Sequence, residues 1–580
     1  MTEQAGPLFE IAPRDVISAP VRRWRPVHWL PVLQLAPAAL VIAAVLGAPF
    51  LTTVVVSLAA GHGVLRNYGG VFTDPNIRHA MGNSVRWVVF APLVCLAGLV
   101  AAWPGRRWHR SRWLVVGLLA APVAVSALVT GVVFRLLFDP GPGLIWVVLG
   151  LAFTWQWLGL AAVVFRAGLA SMPQDLLRVA RAFGAGRLRR AWSVGLPALL
   201  PSGTLVLMIV LVAAARVFEL VLATAPGAIQ DQVDVVGVHL WRFGEVLGDG
   251  ESAALSVLLS VFVALVALAG LWGLSREWPA GQAPDPASVT APVPRNGVPR
   301  NGVPRNAVPR NGGPRRLGLS AVGVLAATVW LLPLIALVLA SVHEPAAAAT
   351  GRWWSGGWGF GSYSAAFADG QLLPALGSTL ARALSASALL VVLGVPAAYG
   401  LACGGLSRTV VRAFVAVLAV LAVLPPQATA VPLGYGLDNL QLLGAAAPLI
   451  GVHVGFGLPL AILLLRGAFA SVPLSLVRAR QLDPVRGSAL LTVIARCWPA
   501  VLTVAVLEFV LVWNDLLIGL LFGGTEAGQA TLVLFEQTRE FATSTGSLAA
   551  GAVLITVVPL ALVLATGKWL VRGLTEEVRR

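Results

Sequence analysis

Residues 32–58 read VLQLAPAALVIAAVLGAPFLTTVVVSL and contain no acidic or basic side chain. As a helix, a run of this length crosses the roughly 30 Å of hydrocarbon in a bilayer. Similar runs recur along the 580 residues, of which 58% are hydrophobic and 11% are charged. Soluble proteins carry about a quarter charged residues. Because long apolar helices satisfy their own backbone groups in lipid, these runs predict an all-α, polytopic membrane protein.

The apolar runs number about twelve and fall into two sets of six. The predicted spans are 32–58, 83–103, 113–137, 143–167, 201–223 and 252–274, followed by 318–341, 376–402, 410–430, 444–466, 499–522 and 547–570. Between the sets lie repeats of VPRNG, in which a proline at every fifth residue excludes a continuous helix and favours a semi-extended tether. The predicted domains are an N-terminal segment 1–30, a first transmembrane domain 31–276, a linker 277–317, a second transmembrane domain 318–572 and a tail 573–580.

Arginines alternate between the loops and predict the orientation. They precede the first span and recur between the second and third spans, between the fourth and fifth, and in the linker, and the second half repeats this alternation. The positive-inside rule therefore predicts that both termini of this multi-pass membrane protein lie in the cytoplasm. The same bias accounts for the net charge of +16, so nucleic acid is not an expected partner, whereas membrane lipid is.

Other functional classes receive little support from the sequence. The first apolar run is too long for the core of a cleavable signal, so an anchor is expected. The three cysteines are scattered and the seven histidines lack ligand spacing, so no metal site and no disulfide framework is predicted.

Two loops on the predicted cytoplasmic side carry related sequences. They read LLRVARAFGAGRLRRAWSVGLPALLP (176–201) and LVRARQLDPVRGSALLTVIARCWPA (476–500). Each is predicted to begin as a basic helix, to break at Gly184 or Pro484, and to continue as a second helix closed by Pro197 or Pro499. The repetition of such a basic helix–turn–helix predicts that both copies bind a partner.

Weaker repeats relate the rest of the two halves. NYGGVF (67–72) parallels GSYSAAF (361–367), and MGNSVRW (81–87) parallels LGSTLAR (376–382). RVFEL (216–220) parallels VWNDL (512–516), which makes Glu219 and Asp515 equivalent. Internal repeats of this kind predict a substrate path at the interface between the halves.

With these motifs in this order, the chain resembles two fused membrane subunits of a carbohydrate-type (maltose-permease-like) ABC importer, in the binding-protein-dependent transport inner-membrane component family. The family's cytoplasmic signature is E-A-A, three residues, G, nine residues, I-x-L-P. The resemblance extends over nearly the whole chain outside the N-terminal 30 residues and the tether. Positions matching the signature, with their neighbours, are the implied ATPase-coupling residues: Arg178, Ala180, Gly184, Leu196, Pro197, Arg478, Ala479, Asp483, Pro484 and Pro499.

The resemblance implies two pseudosymmetric six-helix permease halves in the bacterial cytoplasmic (inner) membrane. It also implies partner ABC ATPase subunits, as two copies or a dimer, and an extracytoplasmic solute-binding protein. This chain is expected to have no catalytic residues and no cofactor of its own, with ATP and Mg bound by the partner, since ATGKW around Lys568 lacks the phosphate-loop frame. Arg178 and Arg478 replace the family's acidic residue, which predicts a complementary acidic groove on the partner; alternatively, both arginines only follow the positive-inside bias.

Polar residues within the fifth and eleventh spans are candidates for solute contact, because acids in membrane helices are costly and usually face a cavity or a partner. Arg216 and Glu219 have the spacing to pair on one helix face, and Glu508 and Asp515 share a face. The indole of Trp513 supplies an aromatic face. The predicted path residues are Arg216, Phe218, Glu219, Glu508, Trp513, Asn514 and Asp515. The alternative is that these groups make buried polar contacts between helices.

Two other functions are compatible with twelve spans. A six-plus-six secondary transporter has the same symmetry without needing paired cytoplasmic loops, and a membrane glycosyltransferase needs acidic motifs in a large external loop. The sequence leaves the solute open among saccharides, polyols and glycerol phosphates.

Overall fold

The computed structural model describes residues 29–60, 64–102, 119–171, 180, 182–184, 186, 189, 193, 195–275, 315–343, 357–368, 370–482, 488–523, 528–539 and 545–575. Within these ranges the chain is helical, apart from turns and one bridge between His343 and Trp358. The predicted segment 1–30 and the linker 277–317 fall almost wholly outside them. The predicted domain boundaries stay predictions.

The helices of the first half are α1 Leu30–Ala59, α2 Val64–Thr73, α3 Pro75–Ala102, α4 Ala127–Phe138, α5 Ile145–Ser171, α6 Leu196–Ala215, α7 Glu219–Thr224, α8 Val236–Leu247 and α9 Asp249–Ser275. Those of the second half are α10 Arg315–Ser341, α11 Gly361–Ala368, α12 Leu372–Cys403, α13 Arg408–Leu421, α14 Ala430–Asn439, α15 Ala446–Ala470, α16 Leu474–Leu482, α17 Ala489–Asn514, α18 Leu517–Phe522, α19 Ala530–Arg539 and α20 Thr545–Thr575.

Eight of the described helices are long and apolar enough to cross a membrane, and shorter apolar helices accompany them. This confirms the all-α, polytopic fold. The predicted spans 113–137, 201–223, 410–430 and 499–522 are wrong as continuous helices, because each is interrupted. Ser126 accepts a hydrogen bond from Val129 N and starts a new helix inside the first of them. Pro425 and Pro426 interrupt the third, since proline cannot continue a helical ladder.

The helix breaks within the predicted spans 201–223 and 499–522 occur at corresponding places in the two halves. In the first half α6 ends at Ala215, and Phe218 has a non-helical φ of −143° before α7. In the second half α17 ends at Asn514, and the extended Asp515 leads into α18. Arg216 and Glu219 are therefore on different helices, and the prediction that they pair on one helix face is wrong.

The loops predicted on the outer side contain short helices, α2, α8, α11 and α19, whose contacts repeat between the halves. Tyr68 OH lies 3.1 Å from Ser57 Oγ, and Tyr363 OH lies 2.9 Å from Ser341 Oγ. These matching contacts show that the sequence repeat between 67–72 and 361–367 corresponds to a structural one.

A second pair of contacts repeats at the first residue of α8 and of α19. Val236 N donates to Ser84 Oγ at 3.1 Å, and Ala530 N donates to Thr379 Oγ1 at 3.0 Å. A first-turn N–H has no partner within its own helix, so each hydroxyl satisfies a group that needs one.

The first helix of each half packs against the other half. α1 contains a π-helical turn at Ala43–Gly47; its beginning packs on α12 and α15, and its end packs on α9. Gly455 on α15 leaves room for Val45. Reciprocally, α10 packs against α4, and Trp155 Nε1 on α5 donates to Trp330 O at 2.8 Å. This exchange joins the two halves into one bundle.

The prediction that Pro197 and Pro499 close the second helix of each repeated loop is wrong. Pro197 lies in the first turn of α6, a position that tolerates proline because its N–H would have no partner there. Pro499 is buried inside α17, which starts at Ala489 and continues to Asn514 across a kink at Cys497. A proline inside a helix removes one backbone hydrogen bond and kinks the helix without ending it when packing holds both sides.

Candidate functional site

A cavity of about 480 Å³ lies between the two halves. Its walls come from α5, α6 and α7 of the first half and from α15, α17 and α18 of the second. Its polar lining consists of Gln156, Arg216, Glu219, Gln427, His453, Glu508 and Asp515. Its aromatic lining consists of Phe153, Trp157, Phe218 and Phe456. A largely apolar cleft with a few polar groups is typical of small-molecule sites.

Five of the seven predicted path residues line this cavity: Arg216, Phe218, Glu219, Glu508 and Asp515. Trp513 does not. It is 2% exposed, its Nε1 donates to Ile555 O at 2.8 Å, and its ring stacks on Phe509. In this structure Trp513 packs inside the second half and presents no face to the cavity.

Asn514 also lies outside the lining. Its Nδ2 donates to Ala124 O at 2.9 Å, across the interface between the halves. For this residue the structure favours the alternative of a polar contact between helices.

Two of the lining carboxylates converge on the beginning of α18. Asp515 accepts from Ile518 N and Gly519 N at 3.1 and 3.2 Å. Glu219 Oε1, which comes from the first half, accepts from Leu516 N at 3.1 Å. Acidic groups stabilise a helix N-terminus by bonding its free N–H groups. The break in the second half is therefore held by one acid of its own and one acid of the other half.

Glu508 lies in a different setting. It is 4% exposed, and no group in the described part of the chain donates a hydrogen bond to its carboxylate. A Cβ at Gly457 would collide with Glu508 Oε2 and would lie 2.6 Å from Leu390 Cδ1. The glycine therefore makes the space that the carboxylate occupies.

His453 is the lining residue that the sequence reasoning missed most clearly. It lies one turn before Gly457 on α15, it is 4% exposed, and its Nε2 has no hydrogen-bond partner among the described residues. The seven histidines of the chain are scattered without ligand spacing, so their pattern did not single out His453. A polar residue in an otherwise apolar span was the available signal.

Alignment of the two halves explains how the cavity walls differ. FRAGLASMP (165–173) aligns with LRGAFASVP (465–473), so Phe153 corresponds to His453 and Trp157 to Gly457. With Glu219 matched to Asp515, Val212 corresponds to Glu508. The first half therefore presents aromatic and apolar groups where the second half presents an imidazole and a carboxylate.

The second repeated loop is described in part. Arg478 and Ala479 are exposed on α16, while Val477 is buried against the core. This confirms a basic helix in that loop. Asp483 and Pro484 lie outside the described residues.

The first loop is described at single positions. Gly184 has a φ of +73°, which favours glycine, and this confirms the predicted turn. Beside it Phe183 is 86% exposed, and Ala180 is half-buried. Leu196 is exposed at the start of α6, and Arg178 lies outside the described residues.

Residues 95–273 match the family model described as "Binding-protein-dependent transport system inner membrane component". The trehalose transport system permease protein SugB of Mycobacterium tuberculosis is 31% identical over 37% of this chain and 80% of its own length. The osmoprotective compounds uptake permease protein GgtD of Synechocystis is 29% identical over 43% of this chain and 87% of its own length.

A third relative is the sn-glycerol-3-phosphate transport system permease protein UgpA of Brucella abortus, which is 27% identical over 35% of this chain and 78% of its own length. A chain from a solved bacterial ABC transporter involved in the import of alginate is 17% identical, with a TM-score of 0.37, over 42% of this chain and 94% of that chain.

Proposed function

Because this chain belongs to the binding-protein-dependent transport system inner membrane component family, we propose that it forms, by itself, the whole translocation path of an ABC importer for a sugar or sugar-like solute. One chain supplies both permease halves, and the solute passes through the cavity between them. The rival functions, a secondary transporter and a membrane glycosyltransferase, have no specific observation in their favour.

The observation that carries this proposal is the composition of the cavity. Aromatic rings from the first half face carboxyl, imidazole and amide groups, most of them from the second half. Hydroxylated solutes need hydrogen-bonding groups together with apolar surface, and both kinds of group are present here. Relatives named for trehalose and for osmoprotective compounds support a solute of this class.

The partners follow from the same proposal. The two repeated loops dock on separate ATPase subunits, which bind ATP and Mg, while this chain binds no cofactor and catalyses no reaction. An extracytoplasmic binding protein delivers the solute to the opposite side. Both termini and both loops face the cytoplasm, in keeping with the arginine bias.

Purification of the full chain from its native host under mild detergent conditions tests this proposal. An ATPase subunit at a ratio of two per chain is expected, together with uptake of labelled sugar that stops when ATP hydrolysis is blocked by orthovanadate. Proton-driven uptake without an ATPase supports the secondary transporter, and transfer of sugar to lipid supports the glycosyltransferase; either result contradicts the proposal.

A further inference from the structure

The connection that follows the first helix of each half differs between the two halves. Residues 60–63 join α1 to α2, whereas residues 342–360 join α10 to α11. The base of the longer connection is closed by an antiparallel bridge between His343 and Trp358. Because α10 ends at Ser341, Trp358 lies beside the end of that helix, on the predicted outer side of the membrane.

Two aromatic side chains at this base are exposed and yet held in place. Trp358 is 74% exposed and Phe360 is 76% exposed. The indole of Trp358 packs on the buried ring of His343, with 4.7 Å between the centroids, and the ring of Phe360 lies 6.1 Å from that of Tyr363. Large apolar groups fixed at a surface mark a contact with a membrane or a partner.

The outer edge of the first half has a different chemistry at corresponding positions. The repeated contacts of the two tyrosines and of the two helix caps align residues 66–84 with residues 361–379. In this alignment Arg78, which is exposed, corresponds to Leu373, which is 65% exposed, and the exposed Arg66 corresponds to a glycine. The first half is therefore charged where the second half is apolar.

The exposed apolar residues of the second half continue the lipid-facing surface of its helices. Val338 in the last turn of α10, and Leu380 and Leu384 on α12, are all exposed. Apolar side chains on the outside of a membrane helix face the hydrocarbon of the lipids. Trp358 and Phe360 follow directly beyond the end of α10, at the level of the lipid headgroups, where tryptophan is enriched because its ring is amphipathic.

We propose that Trp358, Phe360, Phe367 and Leu373 form an outer-leaflet anchor, which inserts into the interfacial layer of the bilayer and which the first half lacks. Lipid is favoured over an extracytoplasmic protein as the partner because these side chains are continuous with lipid-facing ones. The sequence from Trp358 to Leu373 also contains a single charged residue, Asp369. The anchor is independent of the proposed transport function.

The test uses the full chain in lipid nanodiscs, without extracytoplasmic protein. Leu373→Cys and Arg78→Cys form a matched pair at corresponding exposed positions, and Trp358→Cys is compared with Val246→Cys, which is 84% exposed on α8. Each variant is labelled with a bimane fluorophore, and the unmodified chain gives the background from its three native cysteines, which are buried or half-buried.

Lipids that carry a nitroxide near the top of the acyl chain are expected to quench the labels at Trp358→Cys and Leu373→Cys at least about threefold more than the labels of their controls, as for groups in the membrane interface. Iodide in the water is expected to show the reverse order. Phe360→Cys repeats the test at another position of the anchor, so that a folding defect in one variant does not decide the outcome.

Equal lipid quenching at Leu373→Cys and Arg78→Cys overturns the proposal, as does iodide quenching of Trp358→Cys as strong as that of Val246→Cys. Protection from iodide that appears only after extracytoplasmic protein is added indicates a protein partner and also overturns it. None of these results bears on whether the chain transports a sugar, which the ATPase and uptake measurements decide separately.

Discussion

The two walls of the cavity descend from one pattern and have diverged in opposite directions. At equivalent positions the first half has Phe153 and Trp157, whereas the second half has His453 and Gly457. At these two positions the first half offers apolar surface and the second half offers a hydrogen-bonding imidazole, although Glu219 and Phe456 give each wall one group of the other kind. The difference teaches that a repeat can preserve helix positions while it divides the chemistry of a site between its copies.

A second contrast concerns the helices next to these walls. In α4 every residue from Leu128 to Phe134 is buried, whereas its counterpart α14 buries none. α4 packs most extensively against α7, whereas no described helix packs as extensively on α14, whose main contact is with the end of α1. The halves therefore differ in packing as well as in chemistry.

The largest expected effect on stability comes from placing a large side chain at Gly457, where the first half has Trp157. Gly457→Leu is expected to destabilise the chain by about 3 kcal/mol, because an added side chain collides with Glu508 and Leu390 in a packed region. The measurement is the melting temperature of the purified chain. Gly451→Leu on the same helix is the control, since no atom lies within 4 Å of a Cβ there; equal losses in both variants contradict the explanation.

Next comes one of the hydrogen bonds between the halves, the one from Leu516 N to Glu219. Glu219→Ala is expected to cost about 2 kcal/mol, because it leaves the buried N–H of Leu516 without a partner. Thermal unfolding of the purified chain measures this cost. Glu245→Ala, at an exposed position on α8, provides the comparison and should leave the melting temperature unchanged. An undiminished melting temperature for Glu219→Ala would mean that the halves do not depend on this contact.

A smaller loss of stability is expected from removing a contact that both halves share. Ser84→Ala and Thr379→Val each remove a hydroxyl that accepts from the first N–H of α8 or α19. Each is expected to cost about 1 kcal/mol, as for the loss of a helix cap, and the two costs should add in the double variant because the sites are separate. Melting temperatures of the three variants check this, with the exposed Ser364→Ala as control. Clearly unequal losses contradict structural equivalence.

The smallest effect on stability is expected for Arg478→Glu. Arg478 is exposed on α16, so the melting temperature should not change measurably. If the partner groove is acidic, stimulation of the ATPase should fall, whereas Arg408→Glu, exposed at the start of α13, should not lower it. Unchanged or raised stimulation in Arg478→Glu contradicts an acidic groove.

Much of this molecule was predictable because its signals are local. Apolar runs predicted the long helices, and the repeated motifs predicted matching contacts such as those of Tyr68 and Tyr363. Gly184 was predictable as a turn because its conformation is one that favours glycine. The hydropathy pattern did not predict the helix break at Arg216. Apolar residues continue on both sides of the break, and hydropathy carries no information about backbone geometry.

The sequence by itself determined that this is an all-α membrane protein with two related halves, because hydrophobic length and repetition are properties of the chain alone. Only the tertiary structure decided which polar residues share a cavity. Trp513 packs inside the second half and donates to Ile555 O, whereas His453 and Glu508 both line the cavity. The reason is physical: the side of a helix that faces a cavity depends on the kinks, the breaks and the neighbouring helices, and these involve contacts between residues hundreds of positions apart.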